Sequence, residues 1–269
     1  MTVFAGQGDP TRSMALLWGT DTPPAPGPRK TPGPKRALNL QTIVEAAIAA
    51  ADANPTAEVS LRAVADRLGC TSMALYTYVP GKAELLDLMY DRAHAELPTH
   101  HPQGEWRAAA AAWARELRAF YLRHPWVLQV SHARPVMGPH EQAVLETLAG
   151  ILLRTGLPAA TLRGVTAALF HLVRGNAQTA AEARLAAAAT GVPDRQWWAG
   201  RSALLQRLAP DFTERFPMSA RLATPHPAPA RDDTTPYLED RAEEVFTTGL
   251  AVLLEGVQAT AATPPAPPS

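Results

Sequence analysis

The sequence predicts an all-α protein: an N-terminal helix-turn-helix unit of three short helices and their supporting helix, followed by a larger helical domain. Three observations predict it. Apolar residues return at the spacing of one helix face in segment after segment. Gly and Pro residues stand where those segments should stop. Residues 60–82 read as a helix, a tight Gly turn and a second short helix.

Taken in order, residues 1–37 carry Pro23, Pro24, Pro26, Pro28, Pro32 and Pro34 and are expected to be a disordered arm. Arg29, Lys30, Lys35 and Arg36 make that arm positive, so it either follows phosphates or enters a minor groove, or is simply an extended leader. A helix then begins near Asn39, a good N-cap, with Ile43, Ala47, Ala50 and Val44, Ile48, Ala51 as overlapping buried rows, and Asn54-Pro55 ends it. Ser60 caps the next helix, whose buried face is Leu61, Val64, Ala65 and Leu68, and Gly69 stops it in a left-handed residue. Cys70 and Thr71 open a short helix that must end by Pro80. A fourth helix runs from about Pro80 to Leu97, with Leu85, Leu86, Met89 and Tyr90 inward. Pro98–Gly104 breaks it, and closes a small domain spanning 38–97.

Residues 105–258 are expected to form the larger domain. Glu105–Arg123 carries Trp113, Leu117 and Phe120 at helical spacing before His124-Pro125 interrupts. A short piece, Trp126–His132, precedes a helix over His140–Thr155 that Gly156 closes, and Pro158 opens a long alanine-rich segment to about Ala189. Residues 194–208 form a helix with Trp197 and Trp198, and the Pro-rich 209–235 is expected to be a long loop. The last helix, about 236–257, aligns Val245, Phe246, Leu250, Leu253 and Leu254 on a stripe that suits either a subunit interface or an internal core. Residues 259–269 read as a disordered Pro-rich tail.

Two short helices joined by a Gly turn place the second in the major groove of DNA. Thr71, Ser72 and Met73 form its first turn, where side chains meet base edges; Met73 or a Thr methyl can touch a thymine methyl. Tyr76, Tyr78 and Lys82 have donors for phosphate oxygens, and Arg62 can reach a guanine bidentately. The plainer alternative is a solvated hairpin inside a bundle. One short reading helix covers too little DNA for useful affinity, so a homodimer on a pseudo-palindromic operator is expected.

The run Ala-Leu-Tyr-Thr-Tyr-Val-Pro-Gly-Lys-Ala-Glu-Leu-Leu, residues 74–86, resembles the helix-turn-helix signature of TetR-type transcriptional repressors. The likeness extends back through Arg62-Ala63-Val64-Ala65 and covers about residues 38–97. It implies that Arg62, Thr71, Ser72 and Met73 read bases while Tyr76, Tyr78 and Lys82 contact the backbone. The family has His in many members where this chain has Tyr78. More loosely, the stretch from His124-Pro125-Trp126 to the final helix looks like the C-terminal domain of the tetracycline-repressor branch. That implies a small-molecule effector and a dimer bundle, with release of DNA on effector binding.

Composition is consistent. An apolar content of 46% is ample for a core, and one cysteine, Cys70, excludes an internal disulfide and suits a reducing cytoplasm. No apolar span of about 18 residues and no signal peptide is expected, hence no membrane partner. Residues 37–97 hold four Lys/Arg (Arg62, Arg67, Lys82, Arg92) against eight acids (Glu45, Asp52, Glu58, Asp66, Glu84, Asp87, Asp91, Glu96), a balance that by itself disfavours a polyanion.

The larger domain shows no Gly-rich phosphate loop, no GxSxG and no HExxH, so no catalytic residue, metal site or cofactor is expected. Its most distinctive stretch is Phe170–Gln178. His171, Arg174 and Gln178, with Trp113 and Phe120, are the candidate effector-binding residues. The structural alternative has Arg174 and Gln178 reaching solvent, with His171 bonded in the core or at a subunit seam. Trp126, Met137, Trp197 and Trp198 are further candidates for a cavity lining. An enzyme with a DNA-binding head and a purely structural bundle remain as rivals.

Overall fold

The computed structural model of the chain describes residues 3–20, 38–54, 59–101, 104–223 and 236–262. The all-α expectation holds: helices follow one another, and a lone bridge between Val3 and Val130 is the β-type pairing among the described residues. The first is α1 (Pro10–Leu17), capped by the Asp9 carboxylate. In α2 (Leu40–Ala53) the Asn39 side chain accepts from the Thr42 amide, and Ile43, Val44, Ala47 and Ala51 are buried. α3 (Leu61–Leu68) is capped by Ser60, whose Oγ accepts from the Ala63 amide, and buries Leu61, Val64 and Ala65. Gly69 ends it at φ 65°, ψ 35°, a conformation in which any Cβ crowds the following carbonyl. α4 (Ser72–Tyr76) follows under a Thr71 cap, and α5 (Lys82–His94) completes the head.

The body begins with α6 (Trp106–Arg123), a 3-10 turn at Pro125–Gln129 and α7 (Pro139–Leu153). The 32-residue α8 (Ala159–Thr190) follows. α9 (Asp194–Leu208), α10 (Phe212–Arg215) and α11 (Pro217–Leu222) bury no residue at all. α12 (Tyr237–Ala262) returns along α8. Arg184 pairs with Glu239, Asn176 with the Ala242 carbonyl, and Gly249 abuts Leu172, so positions rise on one helix as they fall on the other. The two helices are antiparallel. Arg118 of α6 ties this pair together, donating to Asn176 Oδ1 at 2.7 Å and Glu243 Oε2 at 2.6 Å beneath the Phe246 ring.

Four expectations need correction. Residues 3–20, expected within a disordered arm, are a folded segment: α1 packs on α5 and buries Ser13, Leu16 and Leu17. The basic residues Arg29, Lys30, Lys35 and Arg36 lie outside the described residues. The 209–235 loop contains α10 and α11, and the final helix runs on through Ala262 into the expected tail. α12 is also long and apolar enough to cross a membrane by length and composition, with mean hydropathy 1.3 over its best window. Its buried residues Ala242, Phe246, Leu250, Leu254 and Val257 pack on α8, however, as the stripe of a core helix does. One buried cluster runs through both halves, and α5 packs against α1, α2 and α7 alike.

Candidate nucleic-acid interface and effector region

α4 owes its prominence to having a single buried residue, Leu75. Met73 is 74% exposed and Tyr76 46%, while Thr71, Thr77, Arg62 and Lys82 are exposed and Ser72 and Tyr78 half-buried. The Thr71 oxygen accepts from the Ala74 amide at 3.3 Å, so its hydroxyl hydrogen stays available to an outside acceptor. Tyr78 packs against the core, which shortens its reach relative to Tyr76. The second helix therefore stands clear of the larger domain with its first turn outward. The solvated-hairpin alternative would require the same residues to be idle.

The excess of acid in the head is resolved by position. Glu84, Asp87 and Asp91, at i, i+3 and i+7 on α5, are all buried and accept hydrogen bonds from other segments. Glu84 accepts from the Asp9 amide, Asp87 from the Gly6 amide and Ser13 hydroxyl, and Asp91 from the His140 and Glu141 amides at the start of α7. Burial pushes the Asp87 and Asp91 carboxyls above their ordinary range, and these donors pull them part of the way back. Asp52 and Glu96 clamp His124 from its two ring nitrogens, at 2.8 and 3.1 Å, and Trp126 donates to the same Asp52 oxygen at 2.8 Å. Burial raises the Glu96 carboxyl, yet the bonds and charges of His124 and Arg123 outweigh it and hold its pKa below the usual value. Glu45 lies beside Arg92 and Gln41. Six of the eight acids are thus committed to packing the head onto the body or to neighbours within it. The sequence reading missed these roles; the signal was three acids at helical spacing on an otherwise buried face.

The candidate effector residues do not converge on one cavity. Trp113 is core, meeting Phe170 edge-on at 5.0 Å between centroids. Phe120 is fully buried between His94 and Tyr121. His171 and Gln178 are exposed, and Gln178 donates to Glu182. Arg174 is the exception, and it does not reach free into solvent. It donates to the carbonyls of Leu128 and Val130 at 2.5 and 2.8 Å and to His132 Nε2 at 2.9 Å. His132 Nε2 also receives the Tyr90 hydroxyl at 3.4 Å. A nitrogen that accepts cannot carry a proton, and burial together with the Arg174 charge holds the His132 pKa down to about 4. Of the other candidates, Trp126 lies in the seam between head and body, Met137 is exposed, and Trp197 packs edge-on against Trp198, which in turn meets Tyr237. A groove of about 430 Å³ opens elsewhere, between residues 99–101 and α7, with Thr99, His101, Glu146, Thr147 and Arg154 in its lining. None of the five candidates lines it.

A protruding short helix behind a left-handed Gly turn, carried on a helical body, defines a helix-turn-helix transcriptional regulator. Residues 97–261 match the family model described as tetracyclin repressor-like, C-terminal domain. The chain is 38% identical over 224 residues to the HTH-type transcriptional repressor DrrR1 of Streptomyces coeruleorubidus, covering 82% of this chain and 80% of that protein. It is 32% identical over 150 residues to an HTH-type transcriptional regulator of Saccharopolyspora erythraea, covering 55% of this chain and 64% of that one. The TetR family protein ActR of Streptomyces coelicolor, solved in complex with actinorhodin, has a similar fold, with TM-score 0.65 and 24% identity over 85% of this chain and 100% of ActR. The chain belongs to the TetR family of transcriptional regulators. Its relatives are regulators, not enzymes, which removes the enzyme rival.

Proposed function

We propose that the protein is a cytoplasmic repressor that binds a pseudo-palindromic operator as a homodimer and releases it when a small molecule binds the body. The observation that carries this reading is the outward first turn of α4, with Met73 the most exposed large apolar side chain among the described residues of the head. Arg62, Thr71, Ser72 and Met73 read bases; Tyr76, Tyr78 and Lys82 hold phosphates. Support for a dimer comes from the outward face of α12, where Val245 and Val252 are 55% and 64% exposed beside the α8 pairing. Two heads so joined would read half-sites about one DNA turn apart.

Release by a ligand is supported by the repressor relative and by the ActR complex with actinorhodin. Arg174 is the residue we propose senses the effector, because a ligand acceptor beside it would compete for its guanidinium with two backbone carbonyls and a neutral His. To lower occupancy the ligand must favour the released state; equal affinity for both states shifts nothing.

The test is binding to the duplex flanking the protein's own gene, measured at several salt concentrations. Tyr76→Phe and Lys82→Ala should weaken all sequences about equally. Arg62→Ala and Ser72→Ala should instead relax preference at particular base pairs, by ~1–3 kcal/mol for a good bidentate contact. Duplex affinity untouched by all four changes would remove the assigned reading face.

A further inference from the structure

We propose that residues 3–18 are a strap that couples the body to the DNA-reading head, through a relay from Arg174 by way of residues 128–132 and the strap to Asp87 on α5. The relay extends the repressor reading above, and its DNA readout rests on it.

The first link is the short stretch from Leu128 to Ser131, where the chain leaves the 3-10 turn and its carbonyls bond in turn to Arg174 and to the strap. Val130 is extended, at φ −76° and ψ 126°. The Leu128 and Val130 carbonyls face Arg174. On the other edge the Val3 amide donates to Gln129 O and the Ser131 amide donates to Val3 O, both at 2.8 Å. A single stretch of backbone is therefore held by Arg174 on one side and by the strap on the other. Movement of Arg174 toward a ligand frees one edge, and the other edge belongs to Val3.

The second link is the strap's hold on α5. The Gly6 amide and the Ser13 hydroxyl donate to the two oxygens of Asp87, at 3.0 and 3.1 Å, and the Asp9 amide donates to Glu84 at 3.2 Å. Asp87 is 2% exposed and Glu84 7%. Carboxylates so buried are costly without donors. If the strap lifts, Asp87 and Glu84 lose these donors and must take water in their place, and the directional hold between the strap and α5 goes with them. The inclination of α5 is thereby linked to the strap, and α4 is reached from α5 through α2 and α3, since α5 packs on α2, α2 on α3 and α3 on α4. Ala5, Leu16 and Leu17 add apolar anchorage, and Gly8 lies so close to the Glu84 carboxylate that a Cβ would strike it.

The strap's far end makes the same kind of contact. The Trp18 indole donates to the Met137 carbonyl at 3.2 Å. Met137 is the non-glycine residue with positive φ among the described residues, at 62°, and its amide donates to Glu141 at 2.6 Å. A strained residue persists only where its surroundings over-determine it. Residues 129–137 are accordingly pinned by the strap at both ends, directly ahead of the α7 amides that Asp91 accepts.

The test uses the full chain, a variant lacking residues 2–20, and the milder Val3→Pro, which removes the Val3 amide donor to Gln129 and leaves the strap's contacts with α5 in place. Hydrogen exchange of the amides of residues 82–97 is measured without DNA. Both variants should exchange there at least roughly tenfold faster, with the α8–α12 pair unchanged. Arg174→Met should accelerate the same amides in the full chain and add nothing in the Val3→Pro background. Operator affinity should follow the same pattern: Arg174→Met shifts it several-fold in the full chain and not in Val3→Pro. Equal effects of Arg174→Met in both backgrounds, or unchanged exchange on strap loss, would overturn the relay. Absence of any duplex binding would retire the repressor reading, and the exchange measurements would still decide the relay.

Discussion

Replacing His94 by Gln should remove a defined part of the acid sensitivity of folding. His94 lies in the last turn of α5, 4% exposed, its ring 4.5 Å from that of Tyr90 and 4.8 Å from that of Phe120. Its Nδ1 is 2.7 Å from the Tyr90 carbonyl, which can only accept, so that nitrogen bears the proton of the neutral ring. Burial above all, then the neighbouring His124 and His140, hold its pKa down to about 4 against an ordinary 6.5. A folded-state pKa below the unfolded one means that protons favour the unfolded chain. The neutral ring's contribution is therefore fully present above pH 6.5 and is lost as the pH falls toward 4. At ~1.36 kcal/mol per unit the whole difference is about 3 kcal/mol, a large share of the ~5–15 kcal/mol that holds a domain folded. Asp87, Asp91 and Glu141, whose carboxyls are raised chiefly by burial, act in the opposite sense, gaining stability as the pH falls. They are common to both proteins and cancel in the comparison. Urea unfolding of wild type and His94→Gln at pH 7.5 and 4.5 isolates the ring: the wild type should lose roughly 2–3 kcal/mol more than the variant. Equal losses would mean that His94 is not held neutral, and that the last turn of α5 is open to water.

Two further outcomes follow from the geometry. Gly69→Ala meets no atom within 4 Å, so its cost is backbone strain alone, about 1–2 kcal/mol at φ 65°, read as a lowered urea midpoint; an unchanged midpoint would show that the turn relaxes without penalty. Val252→Glu on the outward face of α12 should halve the mass measured by light scattering and cost most of the operator affinity, because the face is exposed within one chain and nothing in the fold requires Val252; unchanged mass would move the subunit seam elsewhere.

The helices were legible because each carries its own punctuation. Asn39, Ser60 and Thr71 accept from the amide three residues on, as short polar caps should, and Gly69 takes up the left-handed turn. What sequence reading could not supply was pairing across the chain. The Pro-rich segment 23–34 coloured the interpretation of everything before it, yet Ala5, Ser13, Leu16 and Leu17 find burial against α5, some 70 positions away in the chain. Nothing local announces that. The effector region failed for the converse reason. Aromatic residues at helical spacing look the same whether they line a cavity or fill one, and Trp113 and Phe120 do the latter. Arg174 stands out in the sequence as a charge on an apolar helix, but its partners include main-chain carbonyls, which carry no sequence signal.

The near balance of charge in a DNA-binding chain is a consequence of where its acids do their work. A helix linking two domains needs directional contacts as well as apolar ones if it is to sit at one inclination, and carboxylates aimed at backbone amides provide direction. Glu84, Asp87 and Asp91 face the strap and α7, and Asp52 and Glu96 face His124. The same assignment commits these charges to amide donors and to His124, whereas Arg62 and Lys82 are exposed, so the domain total is a poor guide to the potential a phosphate would meet at α4. An acid moved from the seam to the α3–α4 surface would leave the net charge unaltered and oppose the duplex. Charge count and charge placement are separable in this fold, and placement governs both how firmly the head is held and what it can bind.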